Sequence, residues 1–541
     1  MSMQAHIKAL IDQGDSLFGK RGSLLSLWQE LGRHFYPERA SFTETIYVGE
    51  EFATDLTTSY PLLCRRELGN TFGSMLRPSD IDWFKQTVEG VTDHESKAWL
   101  EWATKTQKRA MYDRRAQFVR ATKEGDHDYA AFGQCVVTVE VQNKDNWKGL
   151  LYRCWHLRDV AWAEGMDGSV ECVHHKMPMT VYNIRRQFGD KALSESMRRK
   201  LAKDPHCEIQ LRRIVVPADM YEGEEKFRTP LVSLYVDCED GHVIECVGAR
   251  INPYVIPRWQ TVSGSQYAYS PATVCALPDA RLIQAMTLTL LEAGEKAANP
   301  PMLGVQEMIR GDVSVFAGGV TWVDMAYDGK LREVLEPINQ DKSGLTFGLE
   351  MVRDKRAELR SAFFLDKLDL PVKTGDMTAY EVSQRVREYI RGALPLFEPV
   401  ETDYNGGLCE RTFEVLLQEG AFGTPDTFPR TLRDSDIQYT FTSPLRDAID
   451  KQKGQIFLEG AGIISQAMAL DPSVGSIPDA KVVLRDTLEG IGWPTKWTRS
   501  EEDVDRMTQA QAEQAQQDQL LEQMQQGAQV VKDLGGVEAV A

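Results

Sequence analysis

A few short constellations in this 541-residue chain could do chemistry. Gly14 to Arg21 nearly spells a phosphate loop, with Gly14, Gly19 and Lys20 in the expected order. Such a loop needs a buried strand before it and a Ser or Thr after the Lys to hold magnesium. Arg21 stands in that place and a helical stripe precedes Gly14, so the segment reads as chance. Cys172, His174 and His175 suggest a metal. In a strand, Cys172 and His174 point one way and His175 the other, and no second ligand pair accompanies them. A half-buried strand is the simpler reading. Asp126, His127 and Asp128 could hold a cation, but between a helix and a strand the Asp residues read as turn formers. Asp434 and Asp436 around Ser435 read the same way. Arg353, Arg356 and Arg360 share one face of a helix. That face either meets phosphate or a partner, or is solvated and paired with Asp354 and Glu350. Trp99, Trp102, Trp155 and Trp162 read as core, because no RNA-binding signature accompanies them. With no nucleophile elbow, no HExxH and no dinucleotide fingerprint, the sequence makes no positive case for an enzyme, a cofactor or a metal site.

Composition narrows the class. The length suggests roughly three or four domains. A chain that is 42% hydrophobic and 26% charged folds rather than staying disordered. The formal charge of -18 excludes a general nucleic-acid glue, so contact with DNA must come from local basic residues or from geometry. Met1 to Leu17 has no basic region followed by an apolar run, so a signal peptide is not expected. No run approaches 18 uninterrupted apolar residues, so no transmembrane helix is expected. Nine cysteines, an odd number with no CxxC, read as buried reduced thiols in a cytosolic product.

The elements that must position these residues follow from periodicity. Residues 5–36 read as helix with a break near Gly19 to Ser23. Helices are expected over 61–77 and from an Asp93 cap to Lys123. A β-rich stretch follows: Gln134 to Val141, Leu151 to Trp162, Ser169 to Lys176, Ile209 to Val216, Leu231 to Cys238 and His242 to Arg250. Met166 to Gly168 and Asp240 to Gly241 read as turns. Pro278 to Ala298 is expected as a helix with Pro in its first turn. Short strands over 300–338, a helix from Thr346 to Leu365, and a loop from Asp366 to Asp376 come next. A long helix from Thr378 toward Gly420 should kink at Pro395 and Pro399. Ile437 to Thr442 reads as a strand, Pro444 to Leu470 as a helix, and Glu501 to Lys532 as Gln-rich and helix-prone.

The order of these parts is more telling than any one of them. Arg66 to Pro78 followed by Trp83, Phe132 and Gly133 followed by Gln134 to Glu140, and Tyr269 to Pro271 followed by Pro278 to Glu292 form a series. Met377, Thr378, Ala379, Tyr380, Glu381 and Val382, and Tyr439 to Ala448 with Ser443, Pro444 and Leu445, continue it. Over roughly residues 5–470 the series resembles the portal, or head-to-tail connecting, proteins of short-tailed bacteriophages.

The resemblance implies an α+β, mainly helical portal fold with wing, stem, clip and crown. The wing would be 1–277, the first stem helix 278–299, the clip 300–338 and the second stem helix 339–365. The tunnel loop would be 366–377, a long kinked wing helix and return strand 378–443, and the crown with a Gln-rich tail 444–541. It implies a non-enzymatic ring, usually of twelve copies, at one capsid vertex of the virion, assembled in the host cytoplasm and not in a membrane. Double-stranded DNA would be packaged through it by the terminase large subunit and later ejected. A tail adaptor and the major capsid and scaffolding proteins would be its other partners. Helices pack 8–10 Å apart, so twelve side by side make a circumference of about 100–120 Å. Less a helix diameter of roughly 10 Å, the bore is about 20–28 Å, just passing a duplex about 20 Å across. Within this frame Lys367 and Lys373 are the expected DNA contacts and Arg353, Arg356 and Arg360 a basic stem face. Arg310, Trp322, Tyr327, Lys330 and Arg332 are the expected clip residues for terminase or adaptor, although Trp322 could equally pack between neighbouring clips. Two rivals stay open: another ring or adaptor protein of the virion, and a multidomain intracellular hydrolase using Asp126 or Asp128.

Overall fold

The computed structural model describes residues 3–47, 49–51, 54–90, 93–144, 147–223, 227–298, 300, 302–304, 313, 335–337, 343–368, 392, 398–424, 428–432 and 436–441. It further describes 460–464, 466, 480–490, 493, 497–499, 503–514, 516–517 and 521. The described structure is α+β and mainly helical. It divides into two compact units: Met1–Ser79 with Ala110–Gln418, and Asp80–Arg109 with Glu419–Ala541.

The chain opens with α1 (Met3–Gly19), α2 (Gly22–Phe35) and α3 (Tyr60–Leu76). The expected break falls at Lys20 and Arg21. Arg21 holds no phosphate loop. Its guanidinium is buried and donates to the carbonyls of Leu157 (2.9 Å), Val160 (2.7 Å) and Arg158. The strand β1 (Phe84–Thr87) and α4 (His94–Met111) come next. The helix expected to run on to Lys123 stops at Met111 and restarts as α5 (Phe118–Phe132). Asp113 causes the break: its carboxylate accepts from the Arg115 amide at 2.7 Å, a side-chain turn that competes with the helix.

Two antiparallel sheets follow. The smaller has the order β3-β2-β9, with β2 (Val136–Lys144), β3 (Trp147–Trp155) and β9 (Tyr254–Val255). The larger runs β4-β5-β6-β7-β8. Its strands are β4 (Val160–Glu164), β5 (Val170–Thr180), β6 (Glu208–Pro217), β7 (Leu231–Asp237) and β8 (Val243–Ala249). The single strand expected over Leu151 to Trp162 is two, because His156 Nδ1 accepts from the Arg158 amide at 3.0 Å and starts a 3₁₀ turn. Period-2 alternation gives the larger sheet two apolar faces. Ile7 and Leu10 of α1 pack on Cys172, Ile214 and Leu234. On the other face α6 (Val181–Phe188) and α7 (Glu195–Lys203) bury Val181, Ile184 and Met197 against Met177, Leu211 and Tyr235. Burying such side chains is worth about 1.5–3 kcal/mol each, so the sheet fixes both helical layers.

The second half of this unit is helical. The helix α8 runs from Pro271 to Ala298. It begins almost two turns before the expected Pro278, which is interior and leaves the Val274 carbonyl without its usual donor. Pro271 takes the first-turn place instead. After Met302–Gly304 (β10) and Leu335–Pro337 (β11), which pair antiparallel, come α9 (Ser343–Ala362) and the short α10 (Leu365–Leu368). Pro399 then precedes a π-helical turn over Val400–Gly406, and α11 (Gly407–Gln418) follows. The expected irregularity at Pro399 is therefore a one-residue slip of the hydrogen-bond ladder. Pro395, Thr378 and the start of the long helix lie outside the described residues.

In the other unit β1 pairs antiparallel with β12 (Gln438–Phe441), and Trp83 lies parallel to Phe441 at 6.3 Å. Asp93 caps α4 by accepting from the Ser96 amide at 2.9 Å. Trp99 packs on Phe428 (4.8 Å), as a core residue should, whereas Trp102 is exposed. The helix α12 (Ala480–Gly490) and a helical stretch over 503–514 complete what is described. Ser443, Pro444, Asp434, Ser435 and most of 444–470 lie outside the described residues.

Candidate functional site

The helices α8 and α9 meet with Leu290 of one against Gly348 of the other. A Cβ added to Gly348 would sit 2.6 Å from Leu290 Cδ2, so the glycine permits the close approach. Two turns further along α9, Lys355 Nζ lies 3.1 Å from Asp279. Contacts at 290 with 348 and 279 with 355 define an antiparallel pair. By length α8 spans about 42 Å and α9 about 30 Å. The two halves of α8 differ sharply. From Ala272 to Gln284 it has a buried stripe, in which Ile283 is fully enclosed and Gln284 accepts from the Thr57 amide at 2.8 Å. Beyond Gln284 no residue of α8 is buried. There Leu288 and Leu291 are 48% and 55% exposed, and Phe347 and Leu349 of α9 are 65% and 55% exposed. By length and composition alone α8 is long and apolar enough to cross a bilayer. Its first half is nonetheless built into the body.

A second cluster anchors the base of this pair. Asp126, His127 and Asp128 are not turn residues: they lie inside α5 and are buried. Arg77 donates to Asp126 and, at 2.9 Å, to Asn405 Oδ1 of the π turn, with Tyr404 stacked 4.8 Å away. Arg39 grips Asp128 with two nitrogens, at 3.0 and 2.7 Å. Arg65 caps the Phe35 carbonyl at 2.9 Å and contacts His127 Nδ1 at 3.1 Å. Burial pushes the Asp126 carboxyl up to about 6 against the pull of Arg77. Burial, then Arg65, holds His127 down to about 4. Both carboxylates of the hydrolase reading are thus occupied by arginines. Burial also pushes the Cys64 thiol up to about 11, and Cys135, Cys154 and Cys409 well above the ordinary range. Such thiols stay protonated and inert. Gly133, at φ +74°, closes α5 beside the Tyr269 backbone, where any side chain would collide. Ser270 and Thr273 then hydroxyl-bond the carbonyls of Ala130 (2.8 Å) and Ala131 (2.7 Å), tying the start of α8 to the charged helix.

A family model described as "Bacteriophage head to tail connecting protein" matches residues 8–498. The chain belongs to this family of bacteriophage head-to-tail connecting proteins. Among its relatives, a probable portal protein of Bordetella phage BPP-1 is 25% identical over 463 residues, covering 83% of this connector and 80% of the relative. The portal protein of Salmonella phage epsilon15 is 23% identical over 378 residues, covering 68% of this connector and 66% of the relative. A chain from the virion of a native gene transfer agent particle covers 80% of this connector and 90% of itself at 10% identity, with a TM-score of 0.37, too slight a likeness to bear on shape. Membership makes the connector a virion component.

The structure places the expected site residues of the connector unevenly. Arg353, Arg356 and Arg360 do share a face of α9. Arg353 is exposed, Arg356 lies over the Tyr60 ring at 5.3 Å, and Arg360 pairs with Asp366 at 3.1 Å rather than with Glu350 or Asp354. Lys367 falls within α10, a helix where a loop was expected. Lys373, Arg310, Trp322, Tyr327, Lys330 and Arg332 lie outside the described residues. Cys172 and His174 do face one way, toward α1, and His175 the other, 2.9 Å from the Tyr254 hydroxyl. No group of three metal-ligating side chains occurs among the described residues. Periodicity alone missed the Arg39, Arg65 and Arg77 partners of α5. The signal available was three consecutive polar residues inside an apolar helical stripe.

Proposed function

We propose that this connector is a phage portal: a ring of copies of the chain at one capsid vertex, expected to be twelve, through which double-stranded DNA is packaged and later ejected. The observation that carries the reading is the antiparallel α8–α9 pair with its bare apolar outer half. An exposed Leu and Phe surface on a rigid pair of helices is stabilised by burial against further copies, at about 25 cal/mol per Å² covered. Side by side, such pairs close into a pipe wide enough for a duplex. The charge of -18 per chain suits a conduit. A wall that neutralised phosphates would hold the genome in place.

In this reading α8 and α9 are the stem, and 300–338 is the clip, whose Arg310, Trp322, Tyr327, Lys330 and Arg332 meet the terminase large subunit and then the tail adaptor. The segment 366–377 is the tunnel loop, with Lys367 and Lys373 touching DNA. Residues 444–541 form the crown, and the wing meets the capsid and scaffolding proteins. The ring assembles in the host cytoplasm and turns over no substrate itself. Electron microscopy and mass measurement of the purified particle test the reading. Twelve copies of 61.1 kDa give about 730 kDa around a bore of about 20–28 Å. A chain that stays monomeric under all assembly conditions, or a ring too narrow for a duplex, overturns it. Lys367→Glu with Lys373→Glu should disturb packaging or genome retention in intact rings; normally filled heads would remove the tunnel-loop assignment.

A further inference from the structure

The face of the five-stranded sheet opposite α1 is covered by α6 and α7, and the outer side of that cover is basic. Residues 181–203 hold seven Lys or Arg against two acids, a local charge of +5 in a chain of -18. The inner sides of the two helices are fixed in the core by Val181, Ile184 and Met197. Their starts are capped, with Thr180 Oγ accepting from the Asn183 amide at 3.4 Å and Ser194 Oγ from the Met197 amide at 3.2 Å. The cationic groups are therefore mounted on a rigid platform rather than on a loop.

Three of the seven have acidic partners: Arg185 with Asp190, Arg199 with Glu195 and Lys200 with Glu239. The first two are solvent-exposed pairs, worth little and readily exchanged for a stronger acceptor. Arg186, Lys191 and Lys203 are exposed and have no acidic side-chain partner among the described residues. Among the described residues, exposed Arg198 donates only to the Asp190 carbonyl, at 3.3 Å. Four of the seven are arginines, whose planar forks match phosphate oxygens two at a time. An acidic protein surface would ask only for positive charge. Guanidinium groups carried on two helices fixed in the core suit a regular polyanion better.

We infer that the outward face of α6 and α7 is a docking surface for the phosphate backbone of double-stranded DNA, independent of sequence and outside any channel. The inference goes beyond the portal reading and does not rest on it, since a single chain carries the whole surface. Neutralising about four phosphates makes log K fall with log salt at a slope of about -3.6.

The test uses the full-length assembled protein and covalently closed circular duplex DNA, which cannot thread a closed ring. Wild type should bind the circle at low salt. R186E/R198E/R199E/K203E should weaken binding more than tenfold and flatten the salt slope by about 3 units. R186Q/R198Q/R199Q/K203Q, measured beside it, should lose a smaller part of the affinity. That variant keeps the test decisive if the charge reversal misfolds. Wild type that binds linear but not circular duplex overturns the inference. So does a correctly folded variant of either kind that binds the circle as wild type does. So does a loss confined to self-association, which would make the partner an acidic face of a second copy.

Discussion

The charged core around α5 and the outer half of the α8–α9 pair lie in one unit of the chain but are held in opposite ways. Around α5 the buried Asp126 and Asp128 have arginine partners within the same chain, and aromatic rings close the gaps: Tyr129 lies flat against Trp259 at 5.2 Å and against Tyr404 at 5.9 Å. Beyond Gln284, the paired helices present leucine and phenylalanine to solvent. The first region is finished by intramolecular folding. The second leaves apolar surface exposed, which in the portal reading further copies cover. The difference teaches where stability and function separate: damage to the core should cost folding, and damage to the outer pair should cost assembly.

The largest test reverses the outer surface. Leu288→Asp with Leu291→Asp should abolish ring formation, as read by sedimentation, while shifting the unfolding free energy of the chain by no more than about 0.5 kcal/mol. Rings that persist would break the comparison at its more exposed end. Next is the core. Arg77→Ala leaves Asp126 buried without its charge partner and should cost about 3–5 kcal/mol in chemical denaturation. Arg77→Met with Asp126→Leu should recover most of that loss. Failure to recover would mean that the pair does more than satisfy itself.

Acidity sharpens the comparison further. Burial, followed by nearby arginines, holds His174 down to about 4 and His175 down to about 3. His127 and His156 are held down to about 4 and about 3. Below their ordinary value near 6.5, the unfolded chain binds more protons than the folded one, so stability present above that pH is lost as the pH falls. Asp126 opposes this, because its raised carboxyl binds a proton in the fold before it would in the unfolded chain. Those four imidazoles against Asp126 alone leave a net loss of about 5 kcal/mol between pH 6.5 and 5, which Asp128, Asp237, Glu245, Asp403 and Glu410 reduce, because burial raises their carboxyls too. His174→Asn with His175→Asn should flatten the slope, and a flat wild-type profile would show these imidazoles titrating normally. The smallest effect is expected at Gly348→Ala, about 1 kcal/mol because Leu290 can turn aside. Hydrogen exchange should rise in the outer halves of α8 and α9 and not in α5.

Much of this architecture was legible in the residues. The break before Gly22, the strands from β5 to β8 and their turns at Gly168 and Gly241 all follow local rules, since a glycine at positive φ or an alternating strand needs no distant partner. Pro278 misled because a proline favours a first turn locally, whereas Ser270 and Thr273, bonded to α5, start the helix earlier. Asp126 and Asp128 misled for the same kind of reason. Acids between a helix and a strand suggest a turn until arginines from 49 and 89 positions away fill the space beside them.

By itself, the sequence determined the mainly helical α+β class, the series of segments that marks the connector family, and the acidic balance that argues against tight DNA retention. Only the tertiary structure decided which charges are buried and paired, which half of α8 is left bare, and that seven basic residues stand together on the outer side of a sheet. Periodicity is a property of neighbours along the chain. Burial and charge pairing depend on distances between segments far apart in it, and only the folded arrangement sets those distances.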